Sequence, residues 1–265
     1  MQNVDPVLIL EPVLFIVLSV GVVLYWKLRR RFAAVVLFYS FVAYATAIVL
    51  KEVVQYFTAK AVFAQFGYSS WETGLYFGLQ TSFFEVGLAY LAARYAVSTR
   101  YMGAPDGESY GIALGFWENG ILLGALSFVN LLSTYLLIAD NLLPQSVYQT
   151  LVNAEPSLFL PPQQLVFPIA LATLERVSSL LAHLAWGYLC VLAAAFRRPK
   201  LFYTALPMGM LDFLVPFAPD MPSWLFELVV FLLSLGFLLV ALRVTGFYRT
   251  RMSAQESQLG VEPKT

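Results

Sequence analysis

The chain carries one histidine, His183, inside an apolar stretch and eight residues after the pair Glu175-Arg176. An ionisable side chain in such a place is costly to bury and is by default a functional-site candidate. Three more acids stand in apolar surroundings, Glu85, Glu118 and Asp212. A buried carboxyl group and a nearby imidazole can exchange a proton near neutral pH, so a glutamate and a histidine together can activate water against a peptide carbonyl. Carboxylates with one imidazole can instead hold a divalent metal, for which His183, Glu118 and Asp212 are the candidate ligands. Simple proton relay is the third option. The His-Glu-x-x-His zinc motif is absent, as are Gly-x-Ser-x-Gly and any rhomboid-like serine arrangement.

These groups must be positioned by membrane helices. Hydrophobic residues make up 60% of the 265 and charged residues 12%, and mean hydropathy is +0.73. Soluble domains run to about 45–50% apolar and about 25% charged. The reading is an all-α, polytopic transmembrane helix bundle, multi-pass in the cell membrane, with the lipid bilayer as its first partner. Net charge is zero and the basic residues fall in short clusters, so no long basic face exists for a nucleic acid. The lone cysteine, Cys190, has no internal disulfide partner.

At roughly 20 apolar residues per crossing, seven spans are expected: Pro6 to Trp26, Phe32 to Phe57, Glu72 to Val97, Tyr110 to Ala139, Leu165 to Phe196, Leu201 to Phe217 and Ser223 to Thr245. The first lacks a basic leader and a small-residue cleavage signature, and reads as a retained span. The sixth is short, and Pro207 and Pro216 predict that it is kinked or broken. Thirteen of the sixteen basic residues follow spans one, three, five and seven, which predicts an outer amino terminus and a cytoplasmic carboxyl terminus. Residues 1–252 are expected to form one transmembrane domain and 253–265 a disordered cytoplasmic tail. The outer connection from Asn141 to Gln164 is proline-rich and reads as an interfacial loop.

Counted from the cytoplasmic ends at about 1.5 Å per residue, Glu85, Glu118, His183 and Asp212 fall at depths of roughly 12–20 Å and could share one layer. Convergence would build a polar pocket; the alternative is four separate hydrogen bonds between helices. Arg176, Ser179 and His183 lie three and four apart, on one helical stripe. Glu175-Arg176 reads either as part of that site or as an anchor at the outer headgroups. Gly74 with Gly78, Gly111 with Gly115, and Gly120 with Gly124 mark close helix contacts, the last two pairs flanking Glu118-Asn119. Glu11, Lys51, Glu52 and Glu227 lie near expected outer boundaries and receive no function.

Four patches, in order, resemble the YhfC family of intramembrane peptidases, distantly related to CAAX prenyl proteases and PrsW-type proteins. Phe83-Phe84-Glu85-Val86-Gly87-Leu88 is similar to a Phe-Glu-Glu-x-Gly-Arg stretch, and Gly111 to Glu118 to a Gly-x-Gly-His-Gly-Gly-x-Glu patch. Glu175-Arg176 with His183 resembles a Glu-Arg pair and its histidine, and Met208 to Phe213 a His-x-x-x-Asp-Phe patch. Val86 stands where the family has a second glutamate, Leu88 where it has an arginine, and Leu114 and Met208 where it has histidines. The resemblance implies peptide-bond hydrolysis within the bilayer, on a membrane-protein or peptide substrate. Glu85 or Glu118 would be the general base, His183 proton partner or ligand, Asp212 orienter or ligand, and Glu175 and Arg176 supports. The missing histidines leave open a non-catalytic pseudoprotease that binds membrane partners. Buried acids in broken spans leave open a small proton-coupled transporter, although no internal repeat is present.

Overall fold

The computed structural model describes residues 4–29 and 32–258, with side chains up to Gly246. It is helical throughout, with no strand among the described residues. The long segments are α1 (Pro6–Arg29), α2 (Ala34–Phe66), α3 (71–98), α4 (Ala104–Ala139), α6 (Pro162–Ala195), α7 (Pro199–Asp220) and α8 (Ser223–Gln258), with a short α5 (Gln145–Ala154) between α4 and α6. They coincide with the seven expected stretches. Six are long and apolar enough to cross a membrane; α3 is not among them, because Glu72, Gln80, Glu85 and Arg94 lower its apolarity. The helix of α8 takes in the first residues of the expected tail, and 259–265 lie outside the described residues.

Local chemistry sets the ends. Asp5 caps α1 by accepting the Val7 N–H at 2.9 Å, with Pro6 in the first turn, and Ser70 caps α3 by accepting the Thr73 N–H at 3.2 Å. Helix α2 runs past the expected end at Phe57 to Gly67, whose φ of +80° stops it. Between those points stand helix formers such as Ala59, Lys60 and Ala61, and no breaker. This extension moves Lys51 from an expected boundary to the middle of its helix.

Helix α6 is the axis of the bundle. Its most apolar 18-residue window is 72% buried, against 11–28% for the other five candidate spans, and α3, α4, α7 and α8 all pack on it. The glycine pairs mark the contacts. A Cβ on Gly111 would lie 2.7 Å from the Leu184 backbone, and one on Gly187 only 2.5 Å from Gly111 Cα, so α4 and α6 touch backbone to backbone. Gly120 and Gly124 receive Ser19 and Ile16 of α1, and Gly74 and Gly78 receive Phe213 and Met210 of α7.

Besides short 3-10 turns at helix starts and in the α4–α6 connection, three longer segments depart from α-winding. Thr81–Val86 in α3 and Phe116–Leu126 in α4 are π-helical, and Leu206–Asp220 in α7 is a 15-residue 3-10 helix. Pro207, Pro216 and Pro219 remove backbone donors that α-bonding would need. The narrower winding rises about 2.0 Å per residue, so fifteen residues reach roughly 30 Å and the short sixth stretch gains length. It also eclipses residues three apart. Met210 and Phe213 thus stand against Gly78 and Gly74, and in the neighbouring row Gly209 abuts Ser82 and Asp212 reaches Thr81.

The connection from Asn141 to Gln164 is more than a loop. Helix α5 and the 3-10 turn Pro156–Phe159 bury Tyr148 with Val4, Leu8, Ile138, Leu165 and Ile169 in a second small core. Its apolar residues have a folded surface to cover.

The α4–α6 contact gives a test. Replacing Gly187 by Ala should cost about 1–3 kcal/mol through overpacking, read as a lower unfolding midpoint in detergent. Gly236→Ala, where a Cβ meets nothing within 4 Å, should leave the midpoint unchanged or raise it slightly.

Candidate functional site

Glu85, Glu118, Glu175, Arg176, His183 and Asp212 all line one cavity of about 290 Å³, with Lys51, Thr81, Ser179 and Trp186. Each of the three longer non-α segments delivers one acid: the π-turn of α3 carries Glu85, that of α4 carries Glu118, and the 3-10 stretch of α7 carries Asp212. Insertions of this kind are frequent at functional sites because they turn side chains away from the regular stripe. Helix α6 contributes the stripe Arg176, Ser179 and His183 as expected.

His183 is fixed first. Its Nδ1 lies 2.9 Å from the Ser179 carbonyl oxygen. A carbonyl can only accept, so Nδ1 carries the hydrogen and Nε2 points into the cavity. The ring packs against Trp186 at 4.4 Å between centroids and against the edge of Tyr44 at 6.3 Å. Nε2 is buried without a hydrogen-bond partner, facing Glu118 Oε2 at 3.1 Å and Glu85 Oε2 at 3.7 Å.

The two glutamates are held alike. Lys51 Nζ donates to Glu85 Oε1 at 2.5 Å, and Arg176 Nη1 donates to Glu118 Oε1 at 3.3 Å. Each outer oxygen is thus taken by a cation from another helix, and each inner oxygen is left facing the imidazole. Arg176 is itself clamped: Asn119 accepts from its guanidinium at 3.1 Å and donates to its carbonyl at 3.3 Å, and Glu175 takes the other arm. Lys51 also donates to Thr81 at 2.8 Å and to Asp212 at 3.2 Å, while Thr81 donates to Asp212.

Several expectations change with this geometry. Arg176 is 6% exposed and lines the cavity together with its neighbour Glu175. Asp212 lies on the Lys51-Thr81 side and does not join the inner donors, which are Glu85, Glu118 and His183, with ligand atoms all within 4.8 Å of one another. Lys51 and Thr81 were missed; Gly67, the first helix breaker after Phe57, was the signal that would have placed Lys51 mid-helix. Val86, Leu114 and Met208, where the family resemblance puts a glutamate and two histidines, are buried in the main core and do not line the cavity.

The donor set fits a divalent cation. Around the cavity stand four carboxylates and two permanent cations. With all four ionised and the imidazole neutral, two negative charges would be left over, and uncompensated charge in a low-dielectric interior costs several kcal/mol. The Nε2 lone pair also faces two carboxylate oxygens, an arrangement that a cation between them or a proton on one carboxylate would satisfy. One N and two O donors make a carboxylate-rich set, with fewer imidazoles than the three-histidine and two-histidine, one-glutamate sets of catalytic zinc sites. A proton on Nε2 is another way to satisfy the geometry.

A model of the YhfC intramembrane metalloprotease family matches residues 14–218, from α1 to α7, and the chain belongs to that family. No curated protein and no solved structure matches it.

Removing one buried partner should cost more than removing both. Arg176→Gln is expected to destabilise by about 3–5 kcal/mol, since it strands Glu118, and the pair Arg176→Gln with Glu118→Gln should recover part of that loss. Unfolding midpoints of the four proteins in one detergent measure the coupling.

Proposed function

We propose that this chain is a metal-dependent intramembrane peptidase whose site is built by Glu85, Glu118 and His183. The observation that carries the proposal is the convergence of three donors, Glu85 Oε2, Glu118 Oε2 and His183 Nε2, in one cavity lined by four carboxyl groups. These three would hold a divalent ion, which when bound polarises a carbonyl and makes water more acidic.

The chain's own residues supply the rest. The inner oxygen of Glu85 or of Glu118, whichever is released from the ion, would take a proton from the attacking water. His183 stays in one tautomer through the Ser179 carbonyl, so its orientation costs nothing at the moment of reaction. Lys51 and Arg176 keep Glu85 and Glu118 from turning their outer oxygens inward. Asp212 orients Lys51 and, through it, Glu85. Trp186, Tyr44, Leu122, Leu123 and Val230 give the cavity apolar walls that limit water. Its place among membrane helices selects a substrate peptide that is itself in the bilayer.

One observation favours a second reading. A lysine ammonium 2.5 Å from Glu85 already satisfies much of that carboxylate's charge, as a site adapted to hold a membrane segment without cutting it would require. Metal binding separates the two. Protein purified without chelator is expected to carry about one zinc-like ion per chain, and His183→Ala and Glu118→Gln should lose both the ion and cleavage of a transmembrane peptide fusion. Wild-type protein that takes up no divalent metal, with no shift in unfolding midpoint on adding Zn²⁺, would overturn the peptidase reading and leave the binding role.

A further inference from the structure

A second polar cavity, of about 790 Å³, lies at the other end of the α3 and α6 helices and is lined by Arg94, Arg100 and Arg197 with Tyr90, Ser98 and Pro199. None of the three arginines has a carboxylate partner among the described residues, and all three are exposed. They come from the basic clusters after the third and fifth spans, which the charge asymmetry puts on the cytoplasmic side.

The backbone at two of them is unusual. Helix α3 ends with Tyr101 N–H bonded to Ala96 O at 2.9 Å and Arg100 N–H to Val97 O at 3.1 Å; α6 ends with Arg198 N–H to Ala193 O at 3.0 Å and Arg197 N–H to Ala194 O at 3.3 Å. Both are Schellman endings, with Arg100 at φ +62° and Arg197 at φ +52° in the left-handed position. Glycine or asparagine is the ordinary choice there. Helix α4 ends the same way on the expected outer side and uses Asn141, at φ +52°. Arginine is thus chosen, against backbone preference, at the two endings that face each other across this cavity.

Arginine near a helix carboxyl end also offsets the macrodipole. Two helix ends contribute about half a negative charge each, and three guanidinium groups exceed that, so the cavity keeps a net positive charge. On the same α3 helix, Leu91 (55% exposed) and Tyr95 (60%) line a separate apolar groove with Phe38 and Tyr39 of α2, and on α7 Tyr203 is 65% exposed. The Tyr90 ring, stacked on Phe202 at 4.3 Å, forms part of the wall. An opening that is cationic at its centre, on helices that also carry exposed apolar side chains, suits a ligand with a phosphate head and acyl chains.

We propose that this cavity binds the phosphate group of an anionic phospholipid of the cytoplasmic leaflet, held by Arg94, Arg100 and Arg197. The site is independent of the catalytic reading. The test uses the full chain and the double variant Arg100→Asn, Arg197→Asn, because asparagine keeps the left-handed endings and removes only charge. Native mass spectrometry from mixed phosphatidylglycerol and phosphatidylcholine should show preferential retention of phosphatidylglycerol by the wild type, weakened roughly twentyfold in the variant, with equal unfolding midpoints in phosphatidylcholine alone. Equal retention of both lipids by the wild type, or retention unchanged in the variant, overturns the proposal. Inorganic phosphate at millimolar concentration is the second arm. If it stabilises the wild type and phosphatidylglycerol does not, the site binds a soluble phosphate and the lipid assignment fails.

Discussion

The structure turns on how to keep two carboxylates beside one imidazole inside a membrane protein. Glu85 and Glu118 both aim an oxygen at His183 Nε2, at 3.7 and 3.1 Å. Two like charges at that range in a poorly screened interior repel strongly. The arrangement persists because each carboxylate is tied at its back by a cation on a different helix, Lys51 of α2 and Arg176 of α6. Those ties also fix the bundle: α2 is drawn to α3 and α7 through Lys51, and α4 to α6 through Arg176 and Asn119. Polar contacts that build the site are therefore among the contacts that set helix order. In a medium where apolar side chains gain little by leaving lipid for protein, close backbone packing at Gly111 and Gly187 supplies the other part.

The irregular windings follow from the same need. On three unbroken α-helices the acids would be confined to stripes already occupied by packing residues. Widening α3 at Thr81–Val86 and α4 at Phe116–Leu126, and narrowing α7 over Leu206–Asp220, lets each helix keep its glycine face on a neighbour while its acid turns to the cavity. Gly74 and Gly78 precede the wide turn that bears Glu85, and Gly111 and Gly115 precede the one that bears Glu118. Backbone that departs from α-winding is tolerated at this depth because it is enclosed by protein and lines a cavity.

Much of this was legible in the sequence, and the reasons for success and failure are physical. The membrane class, the seven stretches and the family resemblance follow from long apolar runs and ordered patches that no soluble fold would carry. Glu85, Glu118, Glu175, Arg176, His183 and Asp212 were legible because an ionisable group in such a run is costly and therefore conspicuous. Lys51 was not, because its neighbour Glu52 and the polar residues after Phe57 imitate a helix end; only the lack of a breaker before Gly67 tells otherwise. The π-turns left no sequence mark, since they arise from how three helices fit. The split of the acids into inner donors and the Lys51-bound Asp212 likewise depends on distances.

The departures from the family pattern look different once placed. Val86, Leu114 and Met208 are 0%, 2% and 3% exposed and sit in the core formed by α2, α3, α4, α6 and α7. They are not gaps in the wall of the cavity. An imidazole at Leu114 would have to be accommodated against Gly187, where Leu114 Cδ1 would already lie 3.1 Å from an added Cβ. The cavity of this chain is instead completed by Lys51, a compact ammonium that reaches Glu85, Thr81 and Asp212 at once. An arginine fork suits Glu118, which shares its cation with Asn119 and Glu175, whereas a point charge suits three oxygens set around one nitrogen. The two cations are therefore not interchangeable: the lysine gathers three oxygens around one nitrogen, and the arginine spreads its fork over Glu118, Asn119 and Glu175.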